Sequence, residues 1–290
     1  MLWIPITIGA ASFQVARNGA QRGLLDSAGP WGATLVRFLF GLPFSILFAT
    51  VAYIAIPGAR LAFDARFLIA CALGGAAQIG ATAALLVSMR RSSFALGTVF
   101  QQSGIPLAAL FGLALGDRLH PGQWIGVGVS ALAIGVLGWP RGRTADWSGA
   151  LFGVAAGLGF ALAANAYRQA ALMLDARHPF MAAQVTLVCV QALQSAALVA
   201  WLAAADLTAL ATVIRSWRVS LRAGFFGAAG SGLWFTALAL APAGPVRAVG
   251  VVEAVFAALA GRRWFAERLS VGQWLGGAAA AMGVALAALG

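Results

Sequence analysis

Apolar residues in this chain come in runs about as long as a bilayer is thick. A helix rising about 1.5 Å per residue needs roughly 20 residues to cross about 30 Å of hydrocarbon. Ten such runs follow one another, at about 2–23, 31–56, 67–89, 93–115, 121–139, 147–172, 180–204, 217–240, 245–265 and 270–289. Turn residues separate them, among them Ala28-Gly29-Pro30-Trp31, Arg90-Arg91-Ser92, His178-Pro179 and Ala241-Pro242. Hydrocarbon offers the backbone no hydrogen bonds, so runs of this length resolve as helices. Of 290 residues 61% are hydrophobic and 9% charged, against roughly 25% charged in an average soluble domain. The expected fold class is an all-α integral membrane protein of ten transmembrane helices. The short connections leave no soluble domain.

The net charge of +11 is carried by 19 basic residues, every one of them Arg, scattered in ones and twos at the ends of apolar runs. That is a membrane-flank pattern and not the continuous basic face of a nucleic-acid binder. Met1 to Arg22 lacks the basic start of a signal peptide and counts as the first span. Cys71 and Cys189 each sit inside an apolar run and read as free thiols. His120 and His178 lie at turns, away from any ligand cluster, so no metal and no cofactor is expected. The expected partners are the lipid bilayer and a small-molecule substrate, and a monomer suffices.

The chain also repeats itself. Gly116-Asp117-Arg118-Leu119-His120-Pro121-Gly122-Gln123-Trp124-Ile125-Gly126 returns 150 residues later as Ala266-Glu267-Arg268-Leu269-Ser270-Val271-Gly272-Gln273-Trp274-Leu275-Gly276, with six of eleven positions identical. At an offset of 147, Phe13, Ala16 and Asn18 match Phe160, Ala163 and Asn165, with Gln21 and Arg22 opposite Arg168 and Gln169. The division falls into repeats 1–143 and 144–290, five helices each. Five is odd, so the second repeat enters the membrane from the opposite side. Inverted repeats of this kind mark many secondary transporters, whose site lies between the halves near the midplane.

Ten spans in two five-helix halves, with an acid after a small residue before the last helix of each half (Gly116-Asp117, Ala266-Glu267), resemble the drug/metabolite transporter superfamily and its EamA-type exporters. Within that family the chain is most similar to the YddG-like aromatic amino-acid exporters. It departs from the pattern at Ala266, where Gly is usual before the acid, and at Ala254, where Pro commonly follows the Glu. The resemblance covers the whole chain. It implies a non-enzymatic exporter of small metabolites, amino acids including aromatic ones, in a bacterial-type inner membrane.

The spans carry polar residues that lipid would reject. Gln14, Arg17, Asn18 and Gln21 fall at i, i+3, i+4 and i+7 on one face of the first span. An Arg within a span costs about 2.5–3.5 kcal/mol on insertion scales, so Arg17 either faces a cavity or snorkels to the interface. Asn165, Arg168 and Gln169 form the matching face in the sixth span, and Gln78 with Thr82 lies one turn apart in the third. Thr98, Gln101 and Gln102 precede Pro106 in the fourth, where the missing N–H makes a hinge. Trp234 lies inside the eighth span, placed either to stack on a substrate or to fill space. These residues are read as lining a central cavity, or alternatively as bonding helix to helix.

Glu253 is the one carboxylate placed well inside a span, with Arg17 or Arg168 as a candidate partner, and its role is proton coupling, contact with a substrate amine, or the architecture that the family resemblance implies. Asp117 and Glu267 at the duplicated turns read as helix caps or local partners of Arg. Arg37 is expected to snorkel near Trp31, and Gln184, Gln191 and Ser195 of the seventh span to serve packing. Connections after odd-numbered spans carry eleven Arg and those after even-numbered spans five, Arg247 among them. The positive-inside rule then places both termini outside the cytoplasm. Alternating access fits either a facilitator or a proton-linked carrier. Two other classes stand beside it: an intramembrane enzyme built on Gly230-Ser231-Gly232, and a structural membrane protein.

Overall fold

A computed structural model describes residues 1–56, 58–59, 61–138 and 147–266. Among these the chain forms thirteen α-helices and no strand. They are α1 (Trp3–Arg22), α2 (Leu25–Leu39), α3 (Leu42–Ala55), α4 (Ala65–Arg91), α5 (Phe94–Gln101), α6 (Gly104–Ala114) and α7 (Pro121–Gly138), followed by α8 (Trp147–Asp175), α9 (Pro179–Ala205), α10 (Leu207–Arg215), α11 (Trp217–Leu240), α12 (Ala243–Val249) and α13 (Val252–Phe265).

Seven stretches among the described residues are long and apolar enough to cross a membrane: Leu25–Ala55, α4, Phe94–Ala114, α8, α9, α11 and Ala243–Phe265. The helix α1 fills the place of the first expected span, yet it is not among the seven, because Gln14, Arg17, Asn18 and Gln21 dilute its apolar character. The helix α7 stands where the fifth span was expected. The tenth span, with Glu267, Gln273 and Trp274, lies outside the described residues, as do Arg141, Arg143 and Arg268 of the charge count.

Apolar and polar residues are arranged inside out relative to a soluble protein. Leu151, Leu158 and Leu162 of α8, like Leu68, Ile69 and Leu73 of α4, are exposed, while Gln14, Asn18, Gln101, Asn165 and Gln194 are buried. An outer surface of Leu and Ile needs lipid to cover it, and a multi-pass membrane protein supplies that arrangement. Helix ends follow ordinary capping chemistry. Asp64 caps α4 by accepting from Phe67 N, Ser93 caps α5 through Leu96 N, and Asp206 caps α10 through Ala209 N. The helix α10 was not expected. One side rests on α2, burying Ala209 and Val213, while Leu207 and Ile214 stay exposed.

Three of the expected spans are broken. In the fourth, Pro106 has no N–H to offer the Gln102 carbonyl, which instead accepts from Ile105 N at 2.9 Å, and the helix restarts as α6. In the second, Pro43 likewise cannot donate to Leu39, and the chain restarts at Gly41 as α3. The ninth breaks at Gly250–Val251, between α12 and α13. There the Trp234 ring occupies the space of a side chain: a Cβ on Gly250 would lie 2.3 Å from it. The breaks in the fourth and ninth spans, at Gln102 and Gly250, are 148 residues apart, close to the offsets of the sequence repeat.

Packing follows the same correspondence. The helix α1 runs along α11 and α4 runs along α8, the two most extensive helix contacts among the described residues. The half-helix α5 packs on α13, and α6 packs on α12. The two broken spans therefore pack antiparallel, each with one half against the opposite half of the other.

Candidate functional site

The meeting of the two broken spans is centred on Glu253. It stands in the first turn of α13, where the helix N-terminus favours a negative charge. The break in the fourth span ends α5 beside it, so Gln101 and Gln102 reach it together. From α1, Gln14 and Asn18 arrive one turn apart. Gln14 Nε2 and Gln102 Nε2 donate to Oε2 at 2.7 and 3.1 Å, while Gln101 Nε2 and Asn18 Nδ2 donate to Oε1 at 2.8 and 3.3 Å. The carboxylate is 0% exposed. Burying an ion costs several kcal/mol, and bonds to a charged group return about 1.5–3 kcal/mol each, so four of them can offset the cost.

Neither expected guanidinium bonds to Glu253. Arg17 is buried next to Asn18, donating to its Oδ1 from Nε at 3.2 Å and from Nη2 at 2.6 Å. Asn18 thus links cation to anion, accepting from one and donating to the other. Arg17 does not snorkel. Arg168 lies further away, with Nε 3.0 and 3.1 Å from the two Asp117 oxygens, and Nη1 donating to the carbonyls of Leu238 and Ala241 at 2.8 and 2.9 Å. It joins the duplicated turn to the end of α11. Asp117 therefore pairs with an Arg on another helix and not with its neighbour Arg118. Asn165 also serves structure, donating to Ala108 O and Ala161 O at 3.0 Å each.

A narrow cleft with a cavity volume of about 30 Å³, room for about a water molecule in this state, opens beside the Glu253 cluster. Gln14, Gln78 and Trp234, three of the expected residues, line it. Thr82 stands behind the wall as the acceptor for Arg37. Sequence reasoning missed other members of the wall: Arg37, Arg247, Tyr167, Phe160 and Phe235. Arg37, expected to snorkel, is 1% exposed. Its Nη1 donates to Thr82 Oγ1 at 3.1 Å and its Nη2 to Ser231 Oγ at 3.2 Å, joining α2 to α4 and α11. Arg247, counted with the connections, is 5% exposed within α12, with its guanidinium 5.1 Å from the Trp234 ring and 6.0 Å from that of Phe160.

Opposite them, Tyr167 stacks on Phe235 with ring centroids 4.2 Å apart. Its hydroxyl bridges α8 to α4, at 2.9 Å from Gly74 O and 3.0 Å from Gln78 Oε1. Gln194 of α9 completes the cluster by donating to Gln78 Oε1 at 2.8 Å. The other polar residues of α9 bond between helices: Gln184 donates to Thr236 Oγ1 at 3.0 Å and Gln191 accepts from Ser45 at 2.6 Å. Ser231 accepts from Arg37, whereas His178 pairs with Asp175 at 2.7 Å on the far side of α8. Cys71 and Cys189 are free thiols, and no cluster of three metal-ligating side chains occurs among the described residues.

No family model matches the chain, and no curated protein matches it. A solved structure described as "Crystal structure of protein" superposes with a TM-score of 0.60 at 18% identity, over 97% of this chain and 98% of that one. At that identity the likeness is one of fold, and it extends over both chains from end to end.

Proposed function

We propose that the chain is a carrier of small carboxylate-bearing metabolites, amino acids and aromatic ones among them, working by alternating access between two inverted five-helix halves. The observation that carries this reading is the meeting of two discontinuous helices at a polar cluster beside an aromatic-walled cleft. Broken helices at the bilayer midplane are where secondary transporters place substrate and coupling groups. The inverted repeat is supported by the contacts themselves. Exchanging the first span for the sixth and the third for the eighth turns the α1–α11 contact into α8–α4, and exchanging the fourth for the ninth turns α5–α13 into α12–α6.

In the mechanism, Trp234, Phe160 and Phe235 receive the apolar body of the substrate, and the cationic wall receives its carboxylate. Glu253 holds α1, α5 and α13 together in one state. Rearranging those amide bonds is the step that lets the halves rock. Pro106 and Gly250 leave the backbone free to bend there. Removing the buried Arg247 from the charge count leaves eleven against four, which favours termini outside the cytoplasm; a bacterial-type inner membrane and export as the direction of carriage complete the reading.

Purified protein in liposomes, preloaded with unlabelled phenylalanine and given labelled phenylalanine outside, tests the reading. Saturable counterflow without an imposed proton gradient is the expected result and identifies a facilitator. Counterflow only under a proton gradient identifies a proton-linked carrier. Absence of flux for every carboxylate-bearing metabolite in a panel refutes carriage.

A further inference from the structure

The cleft wall contains guanidinium donors that the protein itself does not use. Arg37 Nε, and Arg247 Nε and Nη2, are buried and have no hydrogen-bond partner among the described residues. Both side chains line the same cleft. The Arg247 guanidinium carbon lies 5.1 Å from the Trp234 ring centroid, and its two unpartnered N–H groups suit a planar, two-oxygen acceptor. The Trp234 indole N–H is unpartnered as well.

The carboxylates that could meet a positive group are already engaged. Asp117 is paired with Arg168, and Glu253 already accepts four amide bonds. Gln78 Oε1 accepts from Tyr167 and Gln194. Three buried guanidiniums, those of Arg17, Arg37 and Arg247, face the single remaining carboxylate of Glu253, an excess of two positive charges among the described residues. Buried cations with idle donors call for an anion.

We propose that Arg37 and Arg247 form an anion-binding pair in the cleft, and that it prefers a net-anionic aromatic carboxylate over the zwitterionic amino acid with the same side chain. The carboxylate oxygens accept from Arg247 and from Arg37 Nε, while the ring lies among Trp234, Phe160 and Phe235. An ammonium group on the same skeleton would bring a positive charge towards two guanidiniums with no free carboxylate to meet it. This assignment deepens the transport reading and depends on it for its biological meaning, but binding can be measured without transport.

The test is equilibrium binding to the full-length protein in detergent, followed by tryptophan fluorescence or by competition with a labelled ligand, for 3-phenylpropionate, phenylalanine and phenethylamine. The carboxylate is expected to bind at least about tenfold more tightly than phenylalanine, and the amine most weakly, as expected when one charged group finds no partner. Arg247→Gln and Arg37→Gln should each weaken 3-phenylpropionate about tenfold or more and remove its advantage over phenylalanine. Arg247→Lys, which keeps the charge and guards against misfolding, should retain part of the preference.

Equal or tighter binding of phenylalanine, unchanged affinity in Arg247→Gln protein that remains helical and monodisperse, or no binding of the carboxylate would each overturn the anion pair. Binding of 3-phenylpropionate without flux in liposomes would refute transport and leave the anion pair standing. Counterflow of phenylalanine without a carboxylate preference would do the reverse.

Discussion

Gln101 donates its side-chain amide to Glu253 Oε1 at 2.8 Å across 152 residues of sequence, joining the break in one span to the break in another. Gln101 is the last residue of α5 and Glu253 stands in the first turn of α13, so the bond ties the two breaks to each other.

Glu253→Gln replaces an acceptor with a group that turns an amide N–H towards at least one amide donor. Breaking a buried charged network by altering one member costs about 3–5 kcal/mol. Thermal unfolding in detergent should show a large drop in midpoint. Gln101→Ala should cost less, about 1–3 kcal/mol, because three donors to the carboxylate remain. Equal midpoints for Glu253→Gln and the parent protein would mean that the carboxylate is not held as described.

The Arg168–Asp117 pair should be asymmetric. Arg168→Gln loses the ion pair and also leaves the Leu238 and Ala241 carbonyls without their donor, whereas Asp117→Asn leaves both of those bonds intact. Arg168→Gln is expected to be the more destabilising by about 1–3 kcal/mol, with little dependence on salt because the pair is largely buried. A double-mutant cycle measures the coupling. Identical losses for the two single variants would show that the carbonyl contacts contribute nothing.

Close approach at the broken fourth span can be probed with a methyl group. A Cβ on Gly157 would lie 2.6 Å from Gln101 O and 2.7 Å from Gly104 N, both backbone atoms. Gly157→Ala should therefore cost about 1–3 kcal/mol by overpacking. Gly80→Ala, whose Cβ would meet nothing within 4 Å, should be neutral or gain about 0.5–1 kcal/mol from helix propensity. The comparison is read from unfolding midpoints of the two variants.

Pro106→Ala supplies the i to i−4 donor that a continuous helix would offer the Gln102 carbonyl, now bonded by Ile105 N, and allows α5 and α6 to approach a single helix. Stability should hold or rise, while counterflow should slow by several-fold if bending at this point is part of the cycle. Unchanged flux would remove Pro106 from the mechanism.

Much of this architecture was legible in the sequence, and the exceptions share a cause. The span at 217–240 coincides with α11, and the face of Gln14, Arg17 and Asn18 in the first span does point inward. Glu253, Gln101 and Gln102 could be singled out because an amide or carboxylate inside an apolar run is tolerated only where it faces protein or water. Their meeting could not be read, because it depends on two helices breaking at matching positions and packing on each other. Only Pro106 gave a local sign of that; nothing near Gly250 announces a break, which follows from where the Trp234 ring packs. Arg37 and Arg247 were misplaced for a related reason. Distance from the nearest turn suggests depth in a straight helix, but the broken second and ninth spans carry both side chains into the interior. The pairing of Arg168 with Asp117, rather than with Glu253, is likewise a matter of tertiary packing between α8 and the α6–α7 turn.

The most direct measurement is side-specific labelling of the cleft. Gln78→Cys, in a Cys71→Ala and Cys189→Ala background, places a thiol in its wall. A membrane-impermeant maleimide can then be applied from either face of oriented vesicles. Alternating access predicts labelling from both faces, with substrate shifting the ratio of the two rates. Labelling from one face alone, at a rate that no carboxylate-bearing metabolite alters, would contradict a carrier built around this cleft.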